Sequence, residues 1–371
     1  NFENLNAGLE GQQVGDGTTA NQTLRWNGTD WIPSDVLQTT PKGVNVNGQF
    51  LASQPDSGSG SYATGLMAGS TGQGINSTAV GPSAGEKSQG DSAVAVGVYA
   101  GDTNQGDSSV AIGRSSAELD QGANSTAVGR QSGANSQGTN AAAFGYRAGE
   151  LSQGSSATAV GQFAGNSSQG ANSVAVGLKA GQVTQGDNSV AVGRDSLDLN
   201  TDGELNVAVG ANALTTLNGG DNNVAVGREC LRLATTSSNN TAVGAQAGAA
   251  ITDGHSNVCI GYSAGSSITT GDNHISIGFE AAITGSPGGN QATNNNRIGL
   301  GDENISHANI QVDWTVASDQ RDKTDFTTLD LGLDFVNDLK PVTYKWDKRS
   351  KYGDKYADDY DLNAQTPDGT H

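Results

Sequence analysis

The string Asn172-Ser173-Val174-Ala175-Val176-Gly177 returns sixteen residues later as Asn188-Ser189-Val190-Ala191-Val192-Gly193. Its glycine belongs to a long series. Gly65, Gly81, Gly97, Gly113, Gly129, Gly145, Gly161, Gly177 and Gly193 stand 16 apart; Gly210, Gly227, Gly244, Gly261 and Gly278 follow at steps of 17. Fourteen registers at a fixed period are the signature of a repeat architecture rather than of disorder. One residue before the glycine sits Val, Ile or Phe (Val96, Ile112, Phe144, Ile277), with Thr64 the exception. Two before it comes Ala, with Cys259 and Ser276 late variants. Three before it stands a mostly β-branched residue such as Val94, Val110, Thr126 or Ile275. Alternation of this kind ended by Gly predicts a short strand.

The flanking Val side chains are expected to fill space between layers, and the Ala to face the other way and allow close approach of something else. Three residues after the glycine another small residue recurs (Ala84, Ala100, Ala148, Ala164, Ala180, Ala247, Ala264) and predicts a second short strand. Gln-Gly then marks the next turn in eight copies, at Gln73, Gln89, Gln105, Gln121, Gln137, Gln153, Gln169 and Gln185. Side chains at one place in successive coils predict an amide ladder, with Gly supplying positive φ beside it.

One coil cannot stand alone. Ordering each residue costs roughly 1–2 kcal/mol of backbone entropy, while each buried Val returns only about 1.5–3 kcal/mol. Stacking lets every strand pair above and below, at about 4.8 Å per coil. The expected fold is therefore all-β, a parallel β-roll or solenoid of about fourteen coils of 16–17 residues. An Ala stripe along such a rod would be an exposed apolar patch. A homotrimer around that stripe is expected, though a dimer would also cover it.

Composition agrees. The 371 residues include 54 Gly, and only 34% are hydrophobic and 15% charged, far from the proportions of an ordinary enzyme core. A net charge of −19 argues against nucleic acid or an anionic membrane surface as partner. No run reaches the roughly 20 apolar residues of a membrane helix, so no membrane insertion is expected. No signal peptide is visible, and the start at Asn1 without Met reads as a fragment.

The Asn-Ser-Val-Ala-Val-Gly strings resemble the heads of trimeric autotransporter adhesins, over about residues 61–282. That resemblance implies a left-handed parallel β-roll trimer, with periods here slightly longer than usual. Ahead of the repeats, Leu24-Arg25-Trp26-Asn27-Gly28-Thr29-Asp30-Trp31-Ile32-Pro33 predicts a hairpin bending at Asn-Gly, with Trp26 and Trp31 as its small core. Similar strings occur in connector regions of phage tail-fibre proteins.

Behind the repeats the composition changes: 26 of the 241 residues at 61–301 are charged, against 20 of the 54 at 318–371. Leu329, Leu331, Leu333, Phe335, Val336 and Leu339 predict a helix ending before Pro341, and Val342-Thr343-Tyr344-Lys345-Trp346 a strand. Ser318-Asp319-Gln320-Arg321-Asp322-Lys323, then Leu331-Gly332, then Leu339-Lys340-Pro341-Val342 resemble the start of the C-terminal intramolecular chaperone of endosialidase-type tail spikes and fibres. That resemblance implies a trimeric assembly factor that cuts itself off before the motif serine. Serine needs a base to become a nucleophile, and a desolvated lysine can serve. Ser318 is the expected nucleophile on the carbonyl of Ala317, Lys323 the base, and Asp319 and Arg321 the supporting groups. Ending at His371, the chaperone is expected to be incomplete.

Other signals are weaker. Asp198-Leu199-Asn200-Thr201-Asp202-Gly203 starts like a calcium loop, but its twelfth position is Val209 rather than Glu; an Asx-rich turn is the expected reading. His255, His274, His307 and His371 lack ligand spacing. Cys230 and Cys259 read as small core fillers. No cofactor or metal is expected. The resulting division is a connector at 1–48, a β-roll shaft at 49–301, a junction at 302–317 and an α+β chaperone segment at 318–371. Its functional expectation is a virion structural protein, a trimeric tail fibre or spike. Its N-terminal region would meet other tail or baseplate proteins, and its far end a host-surface glycan or protein. Two alternatives stay open: a trimeric adhesin on a bacterial surface, and a tail-associated polysaccharide depolymerase with acidic clefts. An ice-binding solenoid would need an unbroken Thr ladder, and Thr78, Thr126, Thr158 and Thr241 are intermittent.

Overall fold

The computed structural model describes residues 60–286 and 289–309 in full, and the backbone of four strands ahead of them. Those four are β1 (Gln22–Trp26), β2 (Trp31–Thr40), β3 (Gly43–Val46) and β4 (Gln49–Ser53), an antiparallel meander in the order β1-β2-β3-β4. The expected hairpin is its first half, with Trp26 paired to Trp31 and Leu24 to Pro33. The first coil strand, Tyr62–Thr64, comes nine residues after Ser53.

From there the chain is a parallel β-solenoid. Each coil contributes one three-residue strand to a 15-stranded parallel sheet in chain order, from Tyr62–Thr64 to Ile298–Leu300. Register follows the repeat without slip: Val174, Ala175 and Val176 sit on Val190, Ala191 and Val192, and the step from 16 to 17 residues leaves Val190 on Val207. The fifteenth strand was not in the periodic series. It lies 23 residues after its predecessor, because the last coil carries a six-residue insertion that hides it.

Glycine is required where the strand ends. Gly177 has φ +134°, a conformation L side chains scarcely adopt, and a Cβ there would lie 2.7 Å from the carbonyl oxygen of Gly193 in the next coil. The residue two before the strand and the residue three after it also turn through the left-handed region, as at Asn172 (φ 56°) and Lys179 (φ 57°). Asn tolerates that region best, which explains the Asn of the repeated string.

Three expectations need correction. The strand's Ala faces inward: Ala95, Ala111, Ala175 and Ala191 are fully buried, whereas the flanking residues are half-buried or exposed. The coil is too thin to enclose two β-branched rows, so the alternation puts the smallest side chain inside. The apolar seam on the outside is therefore Val and Ile. Second, the Ala after the glycine forms no strand; it is a turn residue whose methyl plugs the interior. The second strand is the tripeptide ending in Gln, from Thr71–Gln73 to Asn135–Gln137, in a five-stranded parallel sheet. It thins to single bridges between Asn135, Leu151, Ser167, Val183 and Leu199. Third, positive φ falls on the residue before Gln (Ser88, Asn104, Asp120, Ser136). The Gly after Gln serves close approach instead, since a Cβ on Gly90 would stand 2.5 Å from the Asp107 nitrogen.

The amide ladder is present and internal. Gln121, Gln137, Gln153 and Gln169 each donate Nε2 to the Oε1 of the next Gln at 3.0–3.2 Å. The same amides reach across the coil to a strand carbonyl, Gln137 to Thr126 and Gln153 to Ala142, both 3.0 Å. Beyond Gln185 the interior changes. Asn206, Asn223, Asn240 and Asn257 form a second buried ladder, while Leu197, Leu214, Leu217, Leu231, Ile251 and Ile268 fill the remaining width.

Candidate functional site

Because the Ala is inside, the strand's flanking residues make a continuous apolar stripe on the outer face of the long sheet. Its exposure is substantial at Ile112, Phe144, Val160, Ile260 and Ile277 (37–41%) and greater at Leu300. In a parallel sheet each such side chain sits above its counterpart in the neighbouring coil, so the stripe runs unbroken along the coils. It is bordered by two corners of different chemistry.

The corner before the strand is acidic and structural. The Asp91 carboxylate accepts the Ile75 amide at 2.8 Å, and Asp107 the Asp91 amide at 2.9 Å. Asp187, Asp221 and Asp272 do the same for Ala171, Glu204 and His255 at 2.7–2.8 Å. Each carboxylate satisfies an amide that coil stacking leaves without a carbonyl.

The corner after the strand holds the two residues that follow the repeat glycine. The second of them is left-handed in coil after coil, as at Tyr99, Arg147, Phe163 and Lys179 (φ 56–58°). The backbone reversal there turns both side chains away from the interior. This corner carries Arg114, Arg130, Arg147, Lys179, Arg194 and Arg228, six of the nine Lys and Arg residues between 61 and 301. Aromatic rings stand among them. Tyr146 and Phe163 meet edge-on with centroids 5.4 Å apart. The Arg130 guanidinium lies 5.4 Å from the Tyr146 ring, and that of Arg147 is 5.6 Å from Tyr146 and 5.9 Å from Phe163. Sequence reading missed this corner, since only the residues that stayed constant were weighed. The signal was there in the concentration of cations at the two positions after the repeat glycine.

On the far side, Glu86, Asp102 and Glu118 stand at one place in consecutive coils. Burial raises the Asp102 pKa above the usual carboxylate value, and the charge of Glu86 adds to the effect. Asp198 is raised in the same direction, by burial first and by Asp195 second. In the calcium-like segment the Asn200 amide is turned into its own turn, donating to the Gly203 carbonyl at 2.6 Å and accepting the Gly203 amide at 2.9 Å. That is an Asx-type turn. Among the described residues no three His, Cys, Asp or Glu side chains are grouped to hold a metal ion. Cys230 and Cys259 are buried and free, and burial pushes both thiols up to about 12, which makes them poor nucleophiles. They fill core space, as expected.

Ser318, Asp319, Arg321, Lys323, the Ala317–Ser318 bond and the helix and strand expected at 329–346 lie outside the described residues. Comparison with known families bears on this stretch: the family model described as chaperone of endosialidase matches residues 318–363. That match begins at the motif serine and supports reading the C-terminal segment as an intramolecular chaperone. The chain is thus a parallel β-solenoid followed by a segment similar to the endosialidase chaperone. No curated protein and no solved structure matches the chain.

Proposed function

We propose that the protein is the shaft of a trimeric phage tail fibre or spike that takes part in host-surface attachment, assembled by a C-terminal chaperone that then cuts itself away. One observation carries this reading: a solenoid with an unpartnered apolar stripe leads, within the same chain, into a segment matched by the endosialidase-chaperone family. Fifteen strands whose outward residues are half-exposed form a face larger than a soluble monomer usually leaves bare. Three copies packed stripe to stripe about one axis would cover it.

In the release step the Ser318 Oγ attacks the Ala317 carbonyl carbon as Lys323 accepts its proton. The Ala317–Ser318 C–N bond then breaks and the proton goes to the departing amine. Water hydrolyses the resulting ester. The adhesin reading shares the solenoid and the stripe, and a self-cutting chaperone is what separates it from the tail-fibre reading. A depolymerase would need a cleft of paired acids. The carboxylates that the described coils bring together at Glu280, Asp302 and Glu303 border one shallow depression, where Asp302 already binds Asn304.

The oligomer is tested by light scattering on the whole chain, with three times 37.5 kDa expected. Val176→Asp, a charge placed on the stripe, should reduce that mass to one copy. A wild-type monomer sinks the shaft reading. For the cleavage, Ser318→Ala in a version carrying the full chaperone should leave an uncut trimer on denaturing gels; normal cutting by that variant removes Ser318 from the mechanism.

A further inference from the structure

The cations of the corner after the strand divide into two groups. The corner before the strand offers Asp107, Asp187 and Asp221 at the coils of Arg114, Arg194 and Arg228. Copies related by rotation about an axis along the coils stand at equal heights. A neighbouring copy would therefore bring a carboxylate edge toward those three arginines. At the coils of Arg130, Arg147 and Lys179 the same edge carries Ala123, Thr139 and Ala171, and the neighbour has no carboxylate to give. Arg130 is then left without a carboxylate among the described residues, and Arg147 shares its charge with Glu150 of its own copy, which makes a small local surplus of positive charge on a protein with net charge −19.

That surplus coincides with the rings. Tyr146 and Phe163 lie on adjacent coils between Arg130 and Lys179. Arg147 is held in place by Glu150 at 3.3 Å and by Gln131, also at 3.3 Å. Glu150 is in turn held by the Asn166 amide at 2.7 Å. Arg130 is exposed and, among the described residues, has no carboxylate within 4 Å. Its guanidinium rests over the Tyr146 ring.

We propose that the corner formed by Arg130, Tyr146, Arg147, Phe163 and Lys179 binds a carboxylate-bearing polysaccharide laid along the coil stack. The inference rests on the shaft reading and gives its surface ligand a chemical class. A guanidinium fork matches a carboxylate in geometry and charge. An aromatic side chain offers a flat apolar body for the C–H face of a sugar ring. Arg130 and Arg147 stand on adjacent coils, about 4.8 Å of rise apart, and Lys179 two coils further on, a spread that suits an extended polymer better than a compact anion. A nucleic acid is disfavoured because it carries one charge per ~1.7 Å of duplex axis, far more than these few cations offset with Asp198 beside Lys179, whereas a uronic-acid polymer carries at most one carboxylate per sugar ring.

Titration of the whole chain with oligogalacturonate and with hyaluronan oligosaccharides, at about 0.15 M salt, tests the site. Neutral dextran and a single-stranded DNA of similar length serve as controls. Binding of an acidic saccharide, and neither control, is expected. Arg130→Gln with Lys179→Gln should weaken it about tenfold or more, the loss of charge-assisted bonds. Tyr146→Ala should weaken it as well, and Arg228→Gln, at a coil where Asp221 is available, should leave it unchanged. Molar mass measured on the same samples keeps the two readings apart. A trimer that binds neither acidic saccharide, or binds DNA equally well, overturns the site and spares the shaft; a monomer overturns the shaft.

Discussion

Between Gly65 and Gly193 the coil interior is closed by glutamine, and between Gly210 and Gly278 by asparagine with leucine or isoleucine. The backbone problem is the same in both regions: strand-edge carbonyls and amides lie inside and need partners. Glutamine solves it from the far wall. Its long side chain crosses the coil and its Nε2 donates both to a strand carbonyl eleven residues earlier and to the glutamine oxygen of the next coil, while its own oxygen accepts from the coil before. This needs empty space above it, and Gly133 supplies that, since a Cβ there would lie 2.8 Å from the Gln137 side chain. Asparagine solves it from the near wall. Asn223 Oδ1 accepts the Asn240 amide at 3.1 Å, while its Nδ2 donates to Asn206 and to the Ser237 carbonyl. A short side chain leaves the far half of the coil empty, and Leu214 and Leu217 fill it. The second strand has already thinned to single bridges by Leu151; the last of these, at Leu199, and the 16-residue period end soon after the last glutamine, Gln185. One fold therefore tolerates two interiors, provided each supplies both hydrogen bonds and volume.

The largest effect belongs to what the regions share. Gly177→Ala forces a side chain into φ +134° and against the Gly193 carbonyl, and should cost about 3 kcal/mol or more in urea unfolding. Gly219→Ala, where φ is +85° but no atom lies within 4 Å, should cost about 1 kcal/mol. Equal costs would mean that close stacking is not what requires glycine. Next come the fillers. Leu214→Ala should cost about 2–5 kcal/mol by opening a cavity.

Gln137→Leu keeps volume but strips the Thr126 carbonyl of its donor and the Gln121 amide of its acceptor; about 2 kcal/mol is expected. A neutral result would show that glutamine acts there as filler alone. The smallest effect is electrostatic. Folding raises the Asp102 pKa, so the folded chain holds that proton more tightly than the unfolded one. Stability then falls as pH rises from the ordinary value of 3.8 through the folded value. Asp102→Asn should melt higher than wild type at pH 7 and lose its advantage at pH 3; an advantage at both would assign the gain to packing.

Much of this was legible in the residues. The period, strand, register and amide ladder follow from Gly177, Val174–Val176 and Gln137 and their copies, because parallel stacking repeats every side chain at each coil. The face each residue takes was not legible. Alternation says that Val174 and Ala175 point opposite ways, and the width of the closed coil decides which is inside. The second strand was misplaced for a related reason: the Ala after the glycine is small because it plugs the interior at a turn. The cation-aromatic corner was visible only in outline, since Arg130 and Tyr146 lie sixteen residues apart in sequence and one coil apart in space.

The sequence by itself determined that this chain stacks, how often, and where each coil must be free of a side chain. Those are properties of local spacing and of backbone conformations that only glycine adopts cheaply. Tertiary structure alone decided that the outer seam is valine and isoleucine, that two polar ladders succeed each other inside, and that cations and rings gather on one corner. Each depends on how wide the closed coil is and on which residues the next coil brings alongside.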